Sequence, residues 1–331
     1  MSSINHAGEP YSILFNNLKG FLIFLVVLGH LIEEVPLLCH STIGSSIQKL
    51  IYSFHMEAFI FISGYYSKYT SNKFIDQLKQ NVFPYFCLMI FVSLIQGFYN
   101  NSTPRIFLYP FILPLIPVHS SWYFLSIFYY RSFLTNIIKC KGYIIFSILT
   151  FLGVSFIRAD ISILAFGRAI SFLPFFLIGY NFKRAKVLKC KELDSKRILI
   201  LLTLYLVLFF LLTIKFNLEF FFLRDSFSYL NVDYISGIIG KSCLMIASLT
   251  AITLLIHFTS NTPTILTKIG RHSLSVYFFH LFFVYFLRHK EYFSTCSETT
   301  TLLILTVYAF AISFLLSRDK VYNTLQYVLR R

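Results

Sequence analysis

Ten runs of mostly apolar residues, most of them long enough to cross a lipid bilayer, follow one another along this chain. They fall at roughly 14–32, 47–67, 82–99, 121–138, 142–157, 168–181, 198–216, 235–257, 272–288 and 301–317, the fifth and sixth being short. Composition points the same way. Hydrophobic residues make up 56% of the 331, aromatics 19% and charged residues only 13%, against about 25% charged in a soluble globular chain. Forty Phe and 22 Tyr exceed what one water-soluble core of this size can hide. The pattern excludes a soluble enzyme, a disordered chain and a secreted disulfide scaffold. It predicts an all-α integral membrane protein, a bundle of about ten transmembrane helices forming a single domain over 1–331.

The segments between the runs refine this expectation. Residues 104–118 are apolar but carry Pro104, Pro110, Pro114 and Pro117, which predicts a re-entrant or interfacial loop rather than an eleventh span. The net charge of +15 would suggest a nucleic-acid partner on a soluble protein. Here nineteen basic residues fall in alternate loops: Lys68, Lys73, Lys79; Arg131, Lys139, Lys141; the seven between Lys183 and Arg197; Lys268, Arg271; and Arg318, Lys320, Arg330, Arg331. The other loops hold nine, namely Lys49, Arg105, Arg158, Arg168, Lys215, Arg224, Lys241, Arg288 and Lys290, mixed with Glu33, Glu34, Asp160, Glu219, Asp225 and Asp233. That alternation predicts cytoplasmic N- and C-termini and no nucleic-acid partner. The first run lacks a basic segment before it and a small-residue cleavage site after it, so it reads as a retained span. The six cysteines lie far apart with no CxxC pair and read as inert apolar fillers, giving no metal signature.

Ionisable residues inside apolar runs are functional candidates. Lys19 and His30 in the first run are eleven residues apart, three helical turns plus roughly 20°, so they share a face about 16 Å apart along the axis. Lys19 lies toward the predicted cytoplasmic side and His30 toward the outer side; snorkelling of Lys19 and a headgroup position for His30 is the competing reading. Glu33 and Glu34, at i+3 and i+4 from His30, could orient or charge-stabilise it, with a solvated outer loop as the favoured reading. His55 and Glu57 enter the second run at the depth reached by His30, where a neutral imidazole can accept a proton. Arg168 lies at the outer edge of the sixth run, and Trp122, the only tryptophan, opens the fourth. His280 falls near mid-membrane, where a hydrogen bond to a neighbouring helix is the ordinary explanation. No Walker A loop, GxSxG elbow, HExxH helix or dinucleotide glycine motif occurs.

Five blocks in order resemble the membrane-bound acyltransferase 3 family, particularly its fucose 4-O-acetylase-like branch. They are Lys19-Gly20 with His30; Phe54-His55-Met56 followed by Phe59-Ile60-Phe61-Ile62-Ser63-Gly64-Tyr65; Trp122-Tyr123-Phe124-Leu125; Arg168 with Leu173-Pro174-Phe175-Phe176-Leu177-Ile178-Gly179-Tyr180; and Gly270 through His280. Two positions depart from the family pattern. Asn16-Asn17 stand where an acidic residue usually precedes the basic-glycine pair, and Glu57 stands where Pro often follows.

The resemblance implies transfer of an acyl group, usually acetyl, from cytoplasmic acetyl-CoA to a sugar hydroxyl of a cell-surface, exported or lipid-linked glycan. No cofactor is bound; acetyl-CoA is the donor substrate. The location implied is the cell membrane, as a multi-pass protein of a bacterial plasma membrane in contact with lipid. His30 or His55 would be the general base, with Glu57 orienting His55. Lys19 would attract the donor's phosphates, while Arg168, Trp122, Asn17, Ser63, Tyr277 and His280 would complete substrate binding. Direct transfer and an acyl-histidine intermediate both stay open. A transporter or flippase of a lipid-linked glycan is the competing class, and a purely structural membrane subunit a third; the chain shows no internal repeat of the kind many transporters carry.

Overall fold

A computed structural model describes residues 12–69, 73–109, 111–157, 163–288, 292–293 and 295–330. Among them the regular structure is helical, with no strand. The main helices are α1 (Ser12–Glu34), α2 (Thr42–Tyr52), α3 (His55–Tyr66), α4 (Phe74–Tyr99), α5 (Trp122–Ile137), α6 (Tyr143–Phe156) and α7 (Phe166–Asn181). They continue with α8 (Arg184–Lys191), α9 (Ser195–Lys215), α10 (Tyr234–Phe258), α11 (Ile265–Arg271), α12 (Ser273–Arg288), α13 (Glu298–Leu316) and α14 (Asp319–Arg330). Several starts are fixed by side chains that satisfy otherwise orphaned backbone N–H groups. Ser41, Asp194, Asp233 and Ser297 accept from Gly44, Arg197, Ser236 and Thr300 at the heads of α2, α9, α10 and α13.

Among the described residues, six helices are long and apolar enough to cross a membrane: α1, α4, α7 with the turn Ile163–Ala165 before it, α9, α10 and α13. Helices α6 and α12 are apolar but shorter. The chain is a multi-pass, all-helical membrane protein. Its surface bears this out, because Leu199, Phe210 and Ile214 of α9, Ile145 and Phe146 of α6, and Leu303 and Val307 of α13 face outward. Lipid acyl chains are the natural neighbours of such a surface.

The second run is not one helix. It breaks at Ser53–Phe54, between α2 and α3. A hydropathy window misses this because the sequence stays apolar through the break, and the polar groups of Ser53 are satisfied from within the bundle. The Ser53 hydroxyl donates to the Leu50 carbonyl at 2.8 Å and shares a 2.8 Å bond with the Tyr205 hydroxyl of α9; Ser248 of α10 donates to the Ser53 carbonyl at 2.8 Å. The proline-rich segment 104–118 is likewise broken, into the single turns Arg105–Leu108 and Leu113–Leu115, with Phe107 and Phe111 exposed.

Helix α1 is central, touching α2, α3, α11, α12 and α13. Glycines allow its closest approach. A methyl group on Gly270 of α11 would overlap the Asn16 carbonyl, and one on Gly20 would overlap the Leu266 carbonyl. Gly64 of α3 and Gly179 of α7 form a second such pair, against the Phe176 and Phe61 carbonyls. Small residues at helix contacts are how backbones approach in lipid, where apolar side chains gain little by leaving the solvent.

The charged loops sort to two ends of the bundle. At one end Lys68 bonds the Phe182 carbonyl, Lys191 the His257 and Thr259 carbonyls, and Lys268 pairs with Asp319 at 2.6 Å. At the other, Glu34 pairs with Arg288 at 2.9 Å, Arg224 with Asp225, and Lys49 bonds the Thr213 carbonyl. Lys241 departs from the expected loop position. It lies inside α10, 1% exposed, bonded to the Phe151 carbonyl and Ser155 hydroxyl near the end of α6. Its chain is long enough to satisfy another helix end rather than reach solvent. Arg158, Asp160, Lys290 and Arg331 lie outside the described residues.

Candidate active site

Three histidines meet at the end of α1. The His30 ring stacks on His280 of α12, with centroids 5.4 Å apart and planes at 29°, and lies edge-on to His119 at 6.3 Å. Glu33, read from sequence as solvated, has its Oε2 3.3 Å from His30 Nδ1. A carboxylate can only accept, so Nδ1 donates, and in the neutral imidazole His30 Nε2 holds the lone pair. That is the arrangement that orients an imidazole as a base. The His30 side chain is 14% exposed, so this nitrogen sits in a partly closed setting.

The other two rings are held by hydrogen bonds. His280 donates from Nδ1 to the Tyr277 carbonyl at 2.8 Å, with the Val276 carbonyl at 3.1 Å. These belong to its own helix rather than to a neighbouring one, and His280 Nε2 is buried without a partner. His119 ends a short relay. Gln96 donates to the Tyr285 hydroxyl at 2.6 Å, and that hydroxyl shares a hydrogen bond with His119 Nε2 in which either group can be the donor. Sequence reading missed His119 because it lies in the proline-rich loop, where no periodicity marks it. The available signal was its place three residues before Trp122, at the same predicted depth as His30.

A file of aromatic and hydroxyl groups links this end to Lys19. The Lys19 ammonium lies over the Tyr66 ring at 5.6 Å and close enough to Arg271 for their charges to interact. One turn back on α3, Ser63 bonds the Tyr123 hydroxyl at 2.6 Å. Tyr123 lies 5.6 Å from the Tyr277 ring, Tyr277 lies 6.2 Å from His280, and His280 stacks on His30. Five of the sequence-derived residues, Lys19, Ser63, Tyr277, His280 and His30, thus fall on one path. Tyr277 also donates to the Ser120 carbonyl, tying α12 to the loop that carries His119.

Arg168 and Trp122 stand beside the histidines. The Arg168 guanidinium lies 4.8 Å over the Trp122 ring, and Phe172 stacks on the same indole at 4.9 Å. His55 is buried close to His30, within range of charge interaction, and donates from Nδ1 to the Ile51 carbonyl at 2.8 Å.

Two expectations need correction. Glu57 does not orient His55: both its carboxylate oxygens are buried without a hydrogen-bond partner, and it lies toward Tyr205 of α9. Residues at i and i+2 of a helix point to different sides, so the spacing forbids the pairing. Asn17 is committed to the scaffold. Its amide donates to the Ser260 and Thr262 carbonyls at 2.9 Å each and accepts from Thr264 and Thr267 at 2.8 and 2.5 Å. That set needs both a donor and an acceptor, which accounts for an amide in place of the expected carboxylate. Among the described residues, no three His, Cys, Asp or Glu side chains converge as they would to hold a metal.

No curated protein and no solved structure matches the chain. A family model described as an acyltransferase domain matches residues 13–318, which include all of the site just described. By that match over nearly its whole length, and in keeping with its ordered blocks, the chain belongs to the acyltransferase 3 family.

Proposed function

We propose that this acyltransferase moves an acetyl group from acetyl-CoA, entering at the Lys19 end, to a sugar hydroxyl of a glycan presented at the His30 end, as in the fucose 4-O-acetylase-like branch. In this reading both chain termini, Lys19 and Arg271 face the cytoplasm and the histidines face outside, as the split of basic residues between alternate loops supports. The observation that carries the reading is the His30–Glu33 pair facing His280 and His119, joined to Lys19 by the file through Tyr66, Ser63, Tyr123 and Tyr277. Acetyl-CoA carries phosphates and does not cross a bilayer unaided, so its thioester must be met from the other side, over the roughly 16 Å that separate the two residues on α1.

His30 Nε2 takes the proton of the acceptor hydroxyl as its oxygen attacks the thioester carbonyl carbon. The C–S bond breaks, and the proton held on His30 passes to the leaving sulfur, giving the acetyl ester and free CoA. Glu33 keeps the imidazole in the basic tautomer and steadies its charge. Lys19 and Arg271 offer two cations to the donor's phosphates.

The test is CoA release from acetyl-CoA by purified protein in liposomes, with a parallel measure of folding. His30→Ala should lose about 10²–10⁴-fold in turnover, and Lys19→Ala should raise the KM for the donor. Near-parent turnover in His30→Ala would transfer the base to His55, and activity in both histidine variants would overturn the reading.

A further inference from the structure

Arg168 is a cation without an ion-pair partner. Among the described residues it makes no hydrogen bond and no ion pair, and its Nε is buried and unpartnered. Other charged groups at the same end are occupied. Arg224 is held by both Asp225 oxygens at 2.8 and 3.0 Å, Glu34 by Arg288, and Glu33 by His30. Arg224 lies near enough to Arg168 for the two guanidinium charges to repel, and the Asp225 carboxylate that also acts on Arg168 is already bonded to Arg224. The guanidinium is also held in place, since it lies over an indole that is itself 6% exposed and stacked on Phe172. Arg168 lies within electrostatic range of Tyr52, Tyr277 and Glu33, the last of which pairs with His30, so the guanidinium stands at the His30 end of the bundle.

An unpaired, pre-positioned guanidinium fits a planar or tetrahedral oxyanion, which it binds through two parallel N–H···O bonds. A neutral sugar would leave the charge buried and unmet. We infer that the acceptor is an anionic sugar, whose carboxylate or phosphoryl group docks on Arg168 and so sets which hydroxyl meets His30. The inference deepens the acceptor side of the proposed function and rests on it, but its test requires no turnover.

Trp122 is the chain's one tryptophan and lies in contact with the guanidinium, so its fluorescence, excited at the red edge where tyrosine does not absorb, reports on this site alone. Purified protein without acetyl-CoA is titrated with glucose, sodium glucuronate, glucose 6-phosphate and inorganic phosphate. Glucuronate or glucose 6-phosphate should change the emission saturably, and glucose should not. A response to glucuronate alone identifies a carboxylate, and one to glucose 6-phosphate exceeding that to inorganic phosphate identifies a sugar phosphate. Arg168→Gln should weaken the binding about tenfold or more, and Arg168→Lys, which keeps the charge but loses the planar fork and guards against a misfolded Gln variant, should fall between. His30→Ala, which loses turnover, should still respond saturably to the sugar anion, so loss of turnover and loss of anion binding are separate results. Equal responses to glucose and glucuronate, a response to inorganic phosphate as strong as to either sugar anion, or parent-like binding in Arg168→Gln would each overturn the inference.

Discussion

The contact of α1 with α11 sets the distance between Lys19 and Arg271, and Gly270→Ala tests it most directly. A Cβ at position 270 would lie 2.7 Å from both the Asn16 carbonyl carbon and the Gly20 nitrogen, and nearer still to the Asn16 oxygen. Ordinary contact begins at 3.4 Å, so even the two farther atoms must retreat by about 0.7 Å. They are backbone atoms of a central helix, with no rotamer to relieve them. Overpacking of this kind costs about 1–3 kcal/mol, from which the helix preference of Ala over Gly returns up to about 1 kcal/mol. A net loss of about 1–2 kcal/mol, against an unfolding entropy of roughly 0.7 kcal/mol/K for 331 residues, corresponds to roughly 1–3 °C in Tm. Melting in one detergent at one scan rate measures it, with Gly153→Ala as the control, because a Cβ there meets nothing within 4 Å. Gly20→Ala presses on the Leu266 carbonyl of the same contact, so one separation of the helices relieves both, and the double variant should lose about 1 kcal/mol less than the sum of the singles. Donor KM should rise in these variants more than turnover falls. If Gly270→Ala melted with Gly153→Ala and the double variant were additive, the close contact would not be what holds α11 to α1.

Three further outcomes follow from hydrogen bonds. Asn17→Asp cannot donate to the Ser260 and Thr262 carbonyls and should cost about 1–3 kcal/mol in melting; an unchanged Tm would mean that the 260–267 segment is held by other contacts. Tyr285→Phe removes the proton shared with His119 and strands the Gln96 amide, so turnover should drop about tenfold at constant donor KM. His119→Gln should behave similarly, and parent turnover in both would reduce the relay to a loop anchor. Tyr205→Phe breaks the bond to Ser53 and should cost only about 0.5–1.5 kcal/mol, yet it should speed hydrogen exchange in α9; unchanged exchange there would show that this hydroxyl does not tether the helix.

Much of the frame was legible because composition and run length respond to lipid directly. The family blocks singled out His30, Tyr277 and His280, which the fold brings together, Lys19 and Ser63, which lie along the file leading away from them, and Arg168, which stands beside the histidines. What escaped is what depends on three dimensions. The break at Ser53–Phe54 looks unremarkable in a hydropathy window, since its compensation comes from Tyr205 and Ser248, far along the chain. Glu33 reads as a solvated loop residue until its carboxylate is found at His30. His119 sits at φ +47 in an irregular segment, and only the fold brings it to α1. Glu57 looked like a partner for His55 by nearness in sequence, where helical geometry turns the two apart.

Helix α9 is apolar enough to cross a bilayer, yet only 11% of its apolar window is buried within the protein. It packs on α10, and its polar ties are the Tyr205 hydroxyl to Ser53, the Lys49 ammonium to the Thr213 carbonyl and the Lys215 ammonium to Ser236. Leu199, Ile200, Phe210, Leu211 and Ile214 turn away from the bundle. Much of what presses this helix inward is therefore the annular lipid shell, whose acyl chains complete a wall that the polypeptide leaves half built. Solubilisation replaces that shell with detergent, and the thinner the micelle, the less lateral support remains behind Tyr205. The choice of amphiphile thus bears on the fold itself: nanodiscs retain the outer half of this wall, whereas short-chain detergents remove it.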